Sequence, residues 1–174
     1  MTAYVTADDG LLTTVRQHLE GGRVEQVGFF LADFDEAVRC FRLREWRPMP
    51  PDAFEIQTGY HVTLKDEVRP ELIKWAWDAG GCLAEIHSHG MLGDACFSPS
   101  DLRGFASWVP HVRWRLRARP YLAVVADGDT FDALAWIDPS GEPVQVDRML
   151  TDSEELRMTG LTLARGHEKD DGWA

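Results

Sequence analysis

The chain has 174 residues, 44% of them apolar, and a formal net charge of −11. That length fits one domain, and that apolar share is ordinary for a soluble globular protein whose core needs no staples. The charge argues against a general nucleic-acid role, which needs a positive footprint, and no run of about 18 apolar residues marks a membrane helix.

Taken in order, Met1 to Gly10 lacks a basic region followed by an apolar stretch, so no secretory signal is expected. Leu11 to Leu19 has apolar residues at helical spacing and stops at Gly21-Gly22. Val24 to Phe34 is rich in Val, Phe and Leu and reads as a buried strand, with Val38 to Trp46 as its hairpin partner. Pro48, Pro50 and Pro51 mark a loop, and Tyr60 to Leu64 is a candidate third strand. Arg69-Pro70-Glu71 opens a helix with Leu72, Ile73, Ala76 and Trp77 on one face, closed by Gly80-Gly81.

Cys82 to His87 reads as a strand, Gly90 to Phe97 as a loop, and Ser98 to Val109 as a helix. Arg113, Arg115, Arg117 and Arg119 then alternate with Trp114, Leu116 and Ala118. On a strand the four would face one way; they read either as a solvated edge or loop or as a docking stripe for an acidic partner. Tyr121 to Ala126 and Phe131 to Ile137 form a hairpin across Asp127-Gly128-Asp129. From Arg148 the chain is polar, with Asp170-Asp171-Gly172 near its end, so the expected division is a domain over residues 1–147 and a polar tail over 148–174. The mixture of strands and a few helices predicts an α/β or α+β class. Cys40, Cys82 and Cys96 are odd in number and widely spaced, which fits a reducing cytoplasm better than a disulfide framework.

The stretch that carries chemistry is Glu85-Ile86-His87-Ser88-His89-Gly90 followed, after a loop, by Ser98-Pro99-Ser100-Asp101. Alternate residues on a strand point the same way, so His87 and His89 can converge on one ion. Zinc accepts imidazole nitrogen and carboxylate oxygen, and a catalytic site has three protein ligands with one position open. Asp101, in the first turn of the next helix, can supply the third. Ser98 and Asp101 also match a capping box, which by itself needs no chemistry. The conjunction of H-x-H at a strand end, a short loop and S-x-x-D opening a helix is much rarer than either half.

These residues resemble the JAMM (JAB/MPN) zinc metalloproteases, whose signature is an upstream Glu, then H-[S/T]-H-P, a short loop and S-x-x-D. His87-Ser88-His89 and Ser98-x-x-Asp101 match it, and Glu25 before the run Gln26 to Leu31 matches the early strand. Two departures are Gly90 in place of the usual Pro and an eight-residue loop, one longer than the common pattern. The resemblance covers roughly residues 5 to 140. It implies a JAB/MPN, cytidine-deaminase-like fold with a mixed sheet flanked by helices. It implies zinc on His87, His89 and Asp101 with water as fourth ligand, Glu25 as the base, and Ser98 as donor to the oxyanion. Glu85 is a rival for the base because it alternates onto the same face, and Cys96 is a conceivable thiolate ligand. His18, His61, His111 and His167 show no partner pattern.

The implied activity is that of a bacterial-type, deubiquitinase-like isopeptidase or peptidase. Its expected partners are a ubiquitin-like protein or its conjugates, and the activating and conjugating enzymes of that pathway, with a defence operon as one setting. A homodimer fits the family, whereas no nucleic acid and no membrane are expected. The alternatives are a RadC-like nucleic-acid-associated protein and an inactive scaffold of the same fold. The arginine stripe favours the first weakly, and the presence of every ligand disfavours the second.

Overall fold

The computed structural model describes residues 2–90 and 93–170, with side chains to residue 165 in the last helix. In chain order the strands are β1 (Ala3–Thr6), β2 (Val27–Asp35), β3 (Cys40–Pro48), β4 (Phe54–Gln57), β5 (Val62–Leu64), β6 (Cys82–His89), β7 (Tyr121–Asp127), β8 (Thr130–Trp136), β9 (Val144–Leu150) and β10 (Glu155–Arg157). The helices are α1 (Asp9–Leu19), α2 (Val68–Asp78), α3 (Pro99–Arg115) and α4 (Leu161–Asp170).

The main sheet runs β1-β3-β2-β6-β7-β8-β9-β10, and β1 also pairs with β9 in parallel, Tyr4 opposite Arg148 and Thr6 opposite Leu150. That pairing overturns the expectation of a JAB/MPN, cytidine-deaminase-like fold with a mixed sheet flanked by helices. All main-sheet strands but β10 close into a seven-stranded barrel. The closure depends on two strands that local pattern hides. β1 has four residues, and β9 shows no clean alternation and runs into the stretch read as a polar tail.

Alternation across the wall builds two cores. Inward residues such as Phe30, Phe41, Ile86, Val124 and Met149 pack with Leu12, Val15 and Leu19 of α1. Outward residues such as Phe29, Leu31, Leu83, Tyr121 and Leu134 pack under α2 and α3. The central strands are therefore buried on both faces, which is why they read as continuous apolar runs. Ala32, Ala84, Ala126, Ala133 and Ala135 face inward, as a narrow barrel interior requires.

The hairpin of β2 with β3 and the hairpin of β7 with β8 form as expected, Gly128 taking a left-handed φ of +56° in the turn. In α2, Leu72, Ile73 and Ala76 are buried, but Trp77 is 41% exposed rather than on the core face. Helix α3 continues through Pro110 to Arg115, past the expected end at Val109, because Val109, Val112 and Leu116 keep one buried face at helical spacing.

This extension dissolves the arginine stripe. Arg113 and Arg115 lie in the last turn of α3, and Arg117 and Ala118 take left-handed φ of 55° and 63°. Arg113 donates to the carbonyls of Ile137 and Asp138, and Arg119 to those of Ala76 and Gly81. Beyond Arg148 the chain completes β9 and adds β10 and α4, whereas Asp171 and Gly172 lie outside the described residues. No helix among the described residues is long and apolar enough to cross a membrane.

Candidate metal centre

Strand β6 presents Leu83, Glu85, His87 and His89 on the outer wall, under the start of α3. His87 and His89 approach with Nε2 atoms 3.1 Å apart, and Asp101 Oδ2 lies 3.6 Å from the first and 3.4 Å from the second. One ligand atom from each of the three falls within 4.8 Å of the others, and His87 is buried. Two Zn–N bonds of about 2.0–2.1 Å at a tetrahedral angle would hold the nitrogens roughly 3.3 Å apart, so the set suits such an ion. A group of two imidazoles and one carboxylate could hold a metal ion, and its identity is a separate question.

Asp101 reaches this place through its cap. Ser98 Oγ accepts from the Asp101 amide at 3.2 Å, and Asp101 Oδ2 accepts from the Ser98 amide at 2.7 Å, with Pro99 opening the helix. The cap and the ligand set therefore use the same carboxylate. Burial favours a protonated Asp101, but hydrogen bonds from His87 and His89 outweigh it and hold the carboxyl far below the usual range. Burial pushes the His87 imidazole down, yet its hydrogen bond to Asp101 and that residue's charge leave it raised on balance.

Glu25 lies just before β2 and is buried, with Oε1 3.9 Å from His89 Nε2. Its main chain is clamped from the β4–β5 hairpin: its amide donates to Thr58 O at 2.8 Å, and its carbonyl accepts from Gln57 Nε2 at 2.9 Å. One residue on, Gln26 is held twice by Ser88, whose Oγ accepts from the Gln26 amide and whose amide donates to the Gln26 carbonyl, both at 2.9 Å. The middle residue of H-x-H thus fixes the neighbour of Glu25. Burial raises the Glu25 carboxyl above its ordinary value, against the pull of His89 and His87.

Glu85 is engaged elsewhere. It accepts a short hydrogen bond from Tyr121 Oη, which accepts in turn from Trp108 Nε1 at 2.8 Å. Burial raises its carboxyl, and it sits in the wall of a cleft of about 290 Å³ shared with His87, Asp101, Tyr60 and His61. Cys96 is not in the cluster; its Sγ lies 2.8 Å from Arg165 Nη1. His18 bonds the Val27 carbonyl, His61 bonds Thr63, and His111 lies between Trp108 and Trp114 on α3. The His167 side chain lies outside those described.

No family model matches the sequence, and no curated protein matches it. The solution structure of protein DSY2949 from Desulfitobacterium hafniense is similar, at 14% identity and a TM-score of 0.52, over 86% of this chain and 94% of that one. The likeness concerns the fold alone.

The loop that precedes Asp101 is held by residues that local sequence did not single out. Thr162 Oγ1, at the start of α4, accepts from the Phe97 amide at 2.9 Å and donates to Asp132 Oδ2 at 2.5 Å. Thr159 Oγ1 donates to the Ala95 carbonyl, and the Ala95 amide donates to Thr130 Oγ1 at 2.9 Å. A carboxylate inside the apolar run Phe131 to Ile137 was the available clue to Asp132, since buried charges are rarely tolerated without partners. Thr162, in the stretch read as a tail, carries no such local signal.

Proposed function

We propose that the chain is a zinc-dependent peptidase of JAMM type that cleaves after the C-terminal glycine of a ubiquitin-like protein. The convergence of His87, His89 and Asp101 within 4.8 Å, with the Glu25 carboxylate 3.9 Å from His89, supports this reading most directly. The ligand and base positions of the motif meet at one point although the closed barrel is not the architecture its resemblance implied.

A zinc ion bound by these three side chains would supply Lewis-acid polarisation of the scissile carbonyl and a nucleophile at neutral pH. Glu25, buried and with a raised carboxyl, would take the proton of the attacking water and deliver it to the leaving amine. Ser98 Oγ already accepts from the Asp101 amide, so its own hydrogen is available to the developing oxyanion. Ser88 and Asp101 are anchored by backbone hydrogen bonds, so the two sides of the site are pre-positioned.

Small residues beside the scissile bond, glycine above all, let an extended backbone approach the ligands closely. The test is a fusion joined after the final glycine of a ubiquitin-like tail, incubated with zinc-loaded protein beside casein. The fusion is cut, casein is spared, and glycine-to-valine at the junction nearly abolishes cleavage. Efficient digestion of casein, or indifference to valine, overturns the ubiquitin-like substrate and leaves a general peptidase.

A further inference from the structure

Helices α2 and α3 do not close over one another along the outer wall. They leave an open groove of about 1220 Å³ between them, larger than the few hundred to roughly 1,000 Å³ typical of a small-molecule pocket. Its α3 side carries Trp108, His111 and Trp114 at intervals of three residues, with neighbouring ring centroids 6.4 and 6.1 Å apart. Trp114 is 72% exposed, and Trp77 lines the groove from α2.

The charge of the groove opposes that of the chain. Arg69, Lys74, Arg115 and Arg117 line it against one carboxylate, Asp66, in a sequence with 29 acidic and 18 basic residues. Arg69 lies 5.7 Å from the Trp108 ring, Arg115 5.7 Å from Trp114, and Arg117 5.0 Å from Trp77. Lys74 pairs with Asp78, but these three guanidiniums have no ion pair among the described residues. Arginines stacked on aromatic faces keep their N–H edges free for carboxylates while the rings offer apolar contact. Arg69, Ser107 and Trp108 line both this groove and the cleft at His87 and Asp101, so the two adjoin.

We infer that this groove seats an acidic, partly apolar polypeptide segment of the substrate, the same molecule whose scissile bond is presented at His87, His89 and Asp101. The inference rests on the metal cluster being the reacting site. A polypeptide fits better than a nucleic acid because a uniform polyanion would meet the field of a chain at −11 beyond the groove, whereas a peptide confines its carboxylates to the contact.

The experiment uses the full chain carrying Asp101→Ala, which cannot turn over, and a fluorescein-labelled twelve-residue peptide alternating Glu with Leu and Phe. Fluorescence anisotropy is expected to show binding that weakens with salt. The same peptide with Lys for Glu should not bind. Adding Arg69→Glu and Arg115→Glu together should weaken binding roughly tenfold or more, because like charges then face each other. Trp114→Ala, at an exposed position that folding does not need, should weaken it severalfold. Equal binding by the charge-reversed protein overturns the inference, as does tighter binding of oligo-dT than of the acidic peptide. It also fails if the peptide does not bind and the groove is buried in a self-associated dimer by sedimentation. The two readings separate cleanly: acidic-peptide binding without zinc-dependent cleavage leaves the groove and removes the reaction, and cleavage with a KM indifferent to Arg69→Glu and Arg115→Glu does the reverse.

Discussion

Asp132 and Thr162 meet across 30 residues of sequence, the carboxylate Oδ2 accepting from both the amide and the hydroxyl of the threonine. The same hydroxyl accepts from the Phe97 amide, one residue before the Ser98 cap. The wall of the barrel, the start of α4 and the loop leading to a candidate metal ligand are therefore tied in one buried relay. Thr162→Val keeps the shape but leaves the Phe97 amide without its acceptor. A stability loss of about 1–3 kcal/mol is expected from such a group, read by urea unfolding. Zinc should also exchange faster to a chromophoric chelator than in the parent, because Asp101 loses part of its support. Unchanged exchange with lowered stability would make the relay a fold element only.

The two glutamates near the cluster should separate by assay. Glu25→Ala is expected to retain zinc and lose turnover by about a hundredfold or more, the scale of acid–base catalysis. Glu85→Gln, whose site is occupied by Tyr121, should cost far less. His87→Ala or Asp101→Ala should each remove most of the zinc measured by elemental analysis, because a three-ligand site has none to spare. Full zinc in both variants defeats the assignment, and the opposite ranking of the glutamates moves the base to Glu85.

The three candidate ligands were legible locally, because H-x-H and S-x-x-D are short-range patterns whose geometry follows from a strand end and a helix cap, whereas Glu25 came from the resemblance and meets His89 only through tertiary contacts. The closed ring was not, since it depends on β1 meeting β9, and no window of sequence contains both. The arginine alternation misled for a related reason. Period two describes a strand only where the chain is one, and there buried Val109, Val112 and Leu116 had already committed the segment to a helix. Partners such as Ser88 to Gln26 and Thr162 to Phe97 are set by tertiary contact and leave no trace in composition.

Gly28 should tolerate no side chain. A Cβ there would stand 2.0 Å from the Trp46 ring, which packs on Phe30 and meets His18 edge-on. Gly28→Ala is expected to destabilise by about 1–3 kcal/mol, the usual cost of overpacking a core. Adding Trp46→Leu should recover part of that loss, a non-additive pair that thermal unfolding of the two single variants and the double variant would reveal. Strict additivity would place the strain elsewhere.

Cys82 offers a pH test away from the ligands. Burial raises its thiol from 9.0 to about 11, opposed in part by Arg119 and Arg44. The folded chain therefore holds this proton more tightly than the unfolded chain does. The associated stability is complete below the ordinary thiol value of 9.0 and fades as pH climbs toward the folded one. Folded protein should leave Cys82 unalkylated by iodoacetamide at pH 8, whereas urea-unfolded protein reacts. Rapid alkylation of Cys82 in the native state, located by peptide mapping, counts against a buried neutral thiol.

The parallel seam between β1 and β9 also sets the order in which the molecule can be made. Ala3 waits for Val146, so a nascent chain emerging from a ribosome presents β1 long before its second neighbour exists. Until then the growing sheet has an open flank of unsatisfied amides and carbonyls, the kind of edge that recruits other chains. Sealing it is a non-local event of the sort that slows folding. It also places the last-made part of the barrel next to the segment that braces the Phe97 loop, so His87, His89 and Asp101 are expected to settle into their final geometry only after the ring has shut.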